Sequence, residues 1–264
     1  MADAPAPAPL GALKSRISSP RAAPAPEPTR GSTKRFDHSL LSALVSRASD
    51  GWSVDYDEIA RSPELPEYLE NLGGADPDSF GRDEAAAFWI NAYNACILEL
   101  VVRWRPKRSI NDIPGAFWGE RFRIAGVALS ADGIEHAKAR KFGDALVHFG
   151  LNCASRGCPP LAVYSGAAVW QELEANGRRY LADESRGASL AGPRKIRLSQ
   201  IFRWFGGDFA PITKPPSELG TLLALFRPKR LLPWTLPYLP EQLRGATEVG
   251  FLKYDWSLNS ARAA

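Results

Sequence analysis

The sequence predicts an α+β fold: a helix-rich single domain with a central buried helix and one small antiparallel sheet. Three observations carry this reading. Residues 85–102 are apolar on nearly every helical face, which a helix tolerates only inside a protein. Segments 121–129, 194–198 and 251–256 alternate polar and apolar residues, as the strands of one small sheet do. The chain's 264 residues, 45% of them hydrophobic, suffice for one substantial core.

Residues 1–35 hold seven of the 22 prolines, in Ala-Pro alternation at 4–9 and 23–26, a composition that buries no core and reads as a disordered tail. Folded sequence begins at residue 36 and runs to 259, leaving 260–264 as a short C-terminal tail. Leu40, Leu41, Leu44 and Val45 have helical spacing within 37–48, and a second short helix covers 65–72 before Gly73 and Gly74 break the chain. The central helix starts after Ser79, with Asp83 and Glu84 in its first turn, where the helix dipole favours anions. Its two amides, Asn91 and Asn94, fall among apolar residues and must be hydrogen-bonded there, either bracing neighbouring loops or lining a site. A hairpin turns near Ala125-Gly126, and Ser130 then caps a helix carrying Glu135 and His136. Helices follow at 169–181 and 219–226, with Pro-rich connections at 211–216 and 228–240.

Charge narrows the partners. The tail holds six basic residues against two acidic, which accounts for the whole net charge of +4, and the remainder has 27 of each sign. A neutral body lacks the basic stripe that a phosphate backbone needs, so no nucleic-acid partner is expected. No integral membrane association is expected either, because Asn91, Asn94 and Glu99 interrupt the most apolar run. The tail has no apolar core typical of a secretory signal, and three cysteines suit a reducing compartment, so the cytoplasm is the expected location. A basic, acid-poor leader also fits an organellar transit peptide, although its prolines oppose the amphipathic helix such leaders form.

Chemistry concentrates in residues 146–160, which hold two of the three cysteines and one of the three histidines. Cys153, followed by Ala154, Ser155 and Gly157, reads as a nucleophile in a turn whose backbone N–H groups face a developing oxyanion. His136 is the better base, because in a strand over 146–153 His148 and Cys153 would point to opposite faces. Glu135 completes the catalytic set and pairs alternatively with Arg140 or His148, while Asn91, Asn94 or Asp132 would orient His136. His148, Ser155 and Cys158 are supporting residues. The favoured function is a thiol-dependent hydrolase or acyl/amide transferase without a cofactor, acting on a small-molecule or peptide substrate. Three readings stand beside it: a zinc site from His136, His148, Cys153 and Cys158, at spacings on the loose edge of the zinc pattern; a Cys153–Cys158 redox pair, whose gap differs from Cys-x-x-Cys; and a non-catalytic protein-interaction module. Cys96 reads as packing and His38 as an ordinary surface or capping residue.

Five motifs in order, Phe88-Trp-Ile-Asn-Ala-Tyr-Asn94, Ile134-Glu-His136, His148-Phe-Gly-Leu-Asn-Cys-Ala-Ser155, Gly157-Cys-Pro159 and Tyr254-Asp-Trp256, resemble the domain of unknown function 547 family across roughly residues 36–259. The resemblance implies a helix-rich α+β domain and names no reaction. Where relatives approach the Glu-His pair through more acidic or leucine-rich sequence, this chain has Ser130-Ala-Asp-Gly133.

Overall fold

A computed structural model describes residues 32–210 and 218–261. Most of the 1–35 tail, the 211–216 connection and residues 262–264 lie outside them. Helix α1 (Ser39–Ala48) buries Leu41, Leu44 and Val45, the face its spacing predicts. Helix α2 (Tyr56–Arg61), which the sequence reading passed over, is short but well capped, with the Asp55 carboxylate accepting from the Asp57 and Glu58 N–H groups. Helix α3 (Glu64–Gly74) follows, and α4 (Arg82–Trp104) then runs through the middle of the molecule. Seventeen of its residues are buried, Asn91 and Asn94 among them. It is the one helix among the described residues long and apolar enough to cross a membrane, yet 89% of its apolar window is enclosed by the rest of the chain. It is therefore the core helix.

The strands depart from the expected single sheet. β1 (Phe122–Ile124) and β2 (Val127–Leu129) form a separate antiparallel hairpin, turning through Ala125 (φ 52°) and Gly126 (φ 75°). Two successive positive φ values make the tight turn whose twist matches a hairpin. β3 (Ala188–Gly192), β4 (Lys195–Leu198) and β5 (Glu248–Phe251) form a second sheet in that order. β3 and β4 are antiparallel, but β5 joins β4 in parallel. The cause is the long return between β4 and β5, a crossover of the kind parallel pairing requires. That return contains α7 (Gln200–Trp204), α8 (Gly206–Phe209), α9 (Glu218–Phe226) and α10 (Leu232–Thr235). Between the hairpin and β3, α5 (Ala131–Ala137), capped by Ser130 as expected, and α6 (Val169–Leu181) complete the helices.

Three further expectations need correction. The 228–240 connection is a run of helical turns, Pro228–Leu231, α10 and Leu236–Tyr238, because proline fits the first positions of a turn, where its missing N–H is no loss. Residues 252–256 are not strand: beyond Phe251 only the Leu252 N–H still bonds the sheet, and the chain then continues to 261 as a strap bonded to loops. Residues 146–153 are not strand either. Asp144 accepts from the Leu146 N–H at 2.9 Å and starts a 3-10 turn, Ala145–Phe149, after which the chain extends. Here α4 takes the place of a sheet partner: Asn94 donates to the Gly150 carbonyl (2.8 Å) and accepts from the Asn152 N–H (2.9 Å).

Candidate functional site

The thiol turn is held from three sides. Asn94 fixes its approach from α4. Asn152 staples it internally, with its amide donating to the Pro159 carbonyl (2.8 Å) and its oxygen accepting from the Ala154 N–H (2.9 Å). The strap covers it: the Arg156 N–H donates to Ser257 O (2.8 Å), the Gly157 N–H to Asp255 O (2.8 Å), and the Asn259 N–H to Ala154 O (3.0 Å). These bonds hold Ala154 at φ 62°, a left-handed conformation that costs a residue with a Cβ about 1 kcal/mol. The result is a tight bend between the cysteines, closed by the Cys158 N–H on Ser155 O at 3.0 Å.

That bend brings the two sulfurs to 2.7 Å. Cys153 is partly exposed and Cys158 is buried, and both thiols are free. Around them are the Ser155 hydroxyl, 3.1 Å from the Cys153 sulfur and 3.3 Å from that of Cys158, and the Tyr254 hydroxyl, at 3.5 and 3.2 Å. Ser155 donates to the Tyr254 oxygen at 3.0 Å, which leaves the phenol's own proton for sulfur. The Cys153 N–H also donates to the Cys158 sulfur (3.0 Å). Burial opposes a thiolate at Cys158, but the hydrogen bonds from Cys153, Ser155 and Tyr254 outweigh it and push that thiol down to about 6. The partner sulfur moves the other way: its hydrogen bond to Cys158, and burial, raise Cys153 well above its usual value. Burial and the nearby sulfur charges raise Tyr254 too, so its phenol stays a donor.

The histidines form a separate group. Arg140 holds Asp208 with two bonds, 2.7 and 2.8 Å, and reaches His136 Nδ1 at 2.5 Å. Arginine only donates, so His136 Nδ1 accepts, and the ring proton sits on Nε2, facing Asp132 at 3.4 Å. His148 Nε2 lies 2.7 Å from Asp208, and its ring stacks on Phe205 with centroids 4.1 Å apart. Burial lowers His148 against the pull of Asp208, and Asp208 is held well below the usual carboxylate range because His148 and Arg140 outweigh its own burial. The Glu135 side chain makes no hydrogen bond or ion pair among the described residues, and it acts on Arg140 and His148 only through its charge.

The expected site residues thus fall into two neighbouring groups. Cys153, Cys158 and Ser155 are in one, and His136 and His148 are in the other. Trp204 packs on Tyr254 at 4.8 Å while the next residue, Phe205, stacks on His148, so one dipeptide separates them. The sulfur of Cys153 has Ser155, Cys158 and Tyr254 as partners and neither histidine. The lone pair of His136 that a base would use already accepts from Arg140. Of the oxyanion donors expected in the turn, the N–H groups of Ala154, Arg156, Gly157 and Cys158 bond elsewhere within the protein, and among the described residues only that of Ser155 is left without such a bond. Of the residues expected to orient His136, Asp132 faces it, whereas Asn91 and Asn94 brace loops, Asn91 pairing both ways with the Tyr164 backbone (2.8 and 3.0 Å). Among the described residues no three His, Cys, Asp or Glu side chains converge as a metal site. Cys96 is buried packing, as expected. His38 occupies the N-cap position of α1, though its side chain makes no cap bond and is not ordinary surface: Nδ1 lies 2.7 Å from the Tyr68 hydroxyl and Nε2 is buried without a partner.

Tyr254, Asp208 and Asn152 were not singled out as site residues. Tyr254 and Asn152 lie within quoted motifs, which was the signal available. Asp208, 60 residues from His148, offered none. No curated protein and no solved structure matches the chain. Residues 77–181 match the family described as "Protein of unknown function, DUF547", a span that holds α4, the Glu-His pair and the thiol turn; through this central region the chain resembles the DUF547 family.

Proposed function

We propose that Cys153 and Cys158 are a redox-active dithiol that exchanges electrons with the disulfide of a small-molecule or peptide substrate in a reducing compartment such as the cytoplasm. The observation that carries this reading is the 2.7 Å approach of one partly exposed sulfur to one buried sulfur. Cys153 attacks a substrate disulfide as its proton passes to the Cys158 sulfur, forming a mixed disulfide and releasing one substrate thiolate, which takes a proton from solvent. Cys158 then loses its proton and attacks the Cys153 sulfur, closing the Cys153–Cys158 disulfide and expelling the second substrate thiol. Two electrons pass from the dithiol to the substrate, and a reduced thiol in the compartment restores the pair.

Acyl or amide transfer uses the same partly exposed sulfur, and it would need His136 released from Arg140 and a donor besides the Ser155 N–H. The two readings separate in one experiment. The protein is treated with oxidised glutathione, unfolded in denaturant, alkylated, and weighed with its peptides mapped, and turnover of the folded protein is followed on insulin disulfides with dithiothreitol as reductant. The expected result is a loss of two hydrogens, alkylation of Cys96 alone, and loss of turnover in both Cys153→Ser and Cys158→Ser. Three alkylated thiols after oxidation, or co-purifying zinc released when the thiols are modified, would overturn the proposal. Turnover of an acyl substrate that needs Cys153 and not Cys158 would instead restore the hydrolase reading.

A further inference from the structure

The free edge of the three-stranded sheet carries a second surface, independent of the thiols. β5 bonds β4 along one side only, with the Glu248 N–H donating to Arg194 O (3.0 Å) and the Leu252 N–H to Leu198 O (2.8 Å). By the two-residue alternation of a strand, the backbone groups of Val249 and Phe251 face the other way, where no described backbone group pairs with them. A groove of about 580 Å³ opens at the start of that edge, between Thr247, Glu248 and Val249 on one side and residues 226–230 on the other. Phe226 is 73% exposed there, an unusual setting for so large an apolar side chain. Arg227, Lys229 and Arg230 are exposed and make no ion pair among the described residues. The acid on the rim, Glu248, is already met by Lys195 at 3.9 Å.

We propose that this groove docks an extended acidic peptide of a partner protein as an added strand on β5, its carboxylates facing Arg227, Lys229 and Arg230 and an apolar side chain resting on Phe226. An unpaired strand edge supplies main-chain bonds for any extended chain, and the cations select which one. The chain's own basic tail is the wrong sign for this groove.

The test is fluorescence anisotropy of the full chain with a labelled Asp-Val repeat hexapeptide at low ionic strength. Binding is expected, together with no binding of a Lys-Val repeat, and affinity about tenfold weaker in an Arg227→Glu/Lys229→Glu variant. The same Asp-Val peptide N-methylated at alternate residues should also bind about tenfold more weakly, because it keeps every charge but loses strand pairing; this arm leaves the protein unaltered. Equal binding of the methylated and parent peptides, absence of peptide binding, or binding of phosphatidylserine vesicles in place of the peptide would overturn the proposal.

Discussion

Replacing Tyr254 by Phe isolates the electrostatics of the thiol pair. The ring is held between Trp204 and Trp256, with centroids 4.8 and 4.7 Å away, and lies so close to Gly157 that a Cβ there would come within 2.8 Å of it. Phe keeps those contacts and removes the hydroxyl 3.2 Å from the Cys158 sulfur. A hydrogen bond to a charged group contributes about 1.5–3 kcal/mol, and each pKa unit corresponds to about 1.4 kcal/mol. Cys158 should therefore rise by about 1–2 units from its value of about 6. At pH 7 its thiolate fraction would fall from about 90% to between about 10 and 50%. The sign extends to stability. A thiol lowered from 9.0 to about 6 stays ionised in the fold while the unfolded chain binds a proton, so stability rises with pH across that window, and the variant's window is narrower. Absorbance at 240 nm against pH gives the midpoint, iodoacetamide labelling at pH 7 gives the reactivity, and a thermal melt checks the fold. A midpoint unmoved in Tyr254→Phe, or a wild-type midpoint near 9, would refute the reasoning.

Three other perturbations probe the scaffold. Asn94→Ala strips partners from the buried Gly150 carbonyl and Asn152 N–H, so urea denaturation should show a loss of about 2–5 kcal/mol, and Cys153 should alkylate faster as its loop loosens. Gly187→Ala would place a Cβ 1.9 Å from the Tyr180 carbonyl oxygen, a backbone atom that cannot swing aside, and should cost about 1–3 kcal/mol or more, read as a lowered melting temperature. His38 is lowered by burial from 6.5 to about 4, so the unfolded chain takes a proton that the fold refuses and stability is lost as pH falls through that interval. His38→Asn cannot titrate and should recover up to about 3 kcal/mol of that acid-dependent loss in denaturation at pH 4 compared with pH 7.

The helices were legible because burial leaves a period in the sequence: the spacing of Leu41, Leu44 and Val45, the all-round apolar α4, and the Ser130 cap each named their element. The sheet was less so. Alternation marked β4 and the hairpin, but pairing direction depends on the path between strands, and the 228–240 prolines concealed helical turns within that path. At the site, residue types were visible and relations were not. The gap between Cys153 and Cys158 differs from Cys-x-x-Cys, and Pro159-Pro160 stiffens the loop after it, but spacing alone does not say whether the two sulfurs meet. Here the left-handed Ala154 folds a longer gap onto itself, and its conformation is imposed by Asn152 and Asn259, the latter more than a hundred residues away. Asp208 shows the same limit, because nothing local says that a Gly-Gly-Asp segment will meet His148.

The strap also sets a schedule. Cys153 and Tyr254 are 101 residues apart. At about 5–20 residues per second, a ribosome takes roughly 5 to 20 seconds to make the intervening chain. Throughout that interval the thiols exist without the phenol that tunes them or the strap bonds that bend their turn, and each behaves as an ordinary cysteine. The opposed shifts of Cys153 and Cys158 therefore arise only once the strap has been made and packed against their turn.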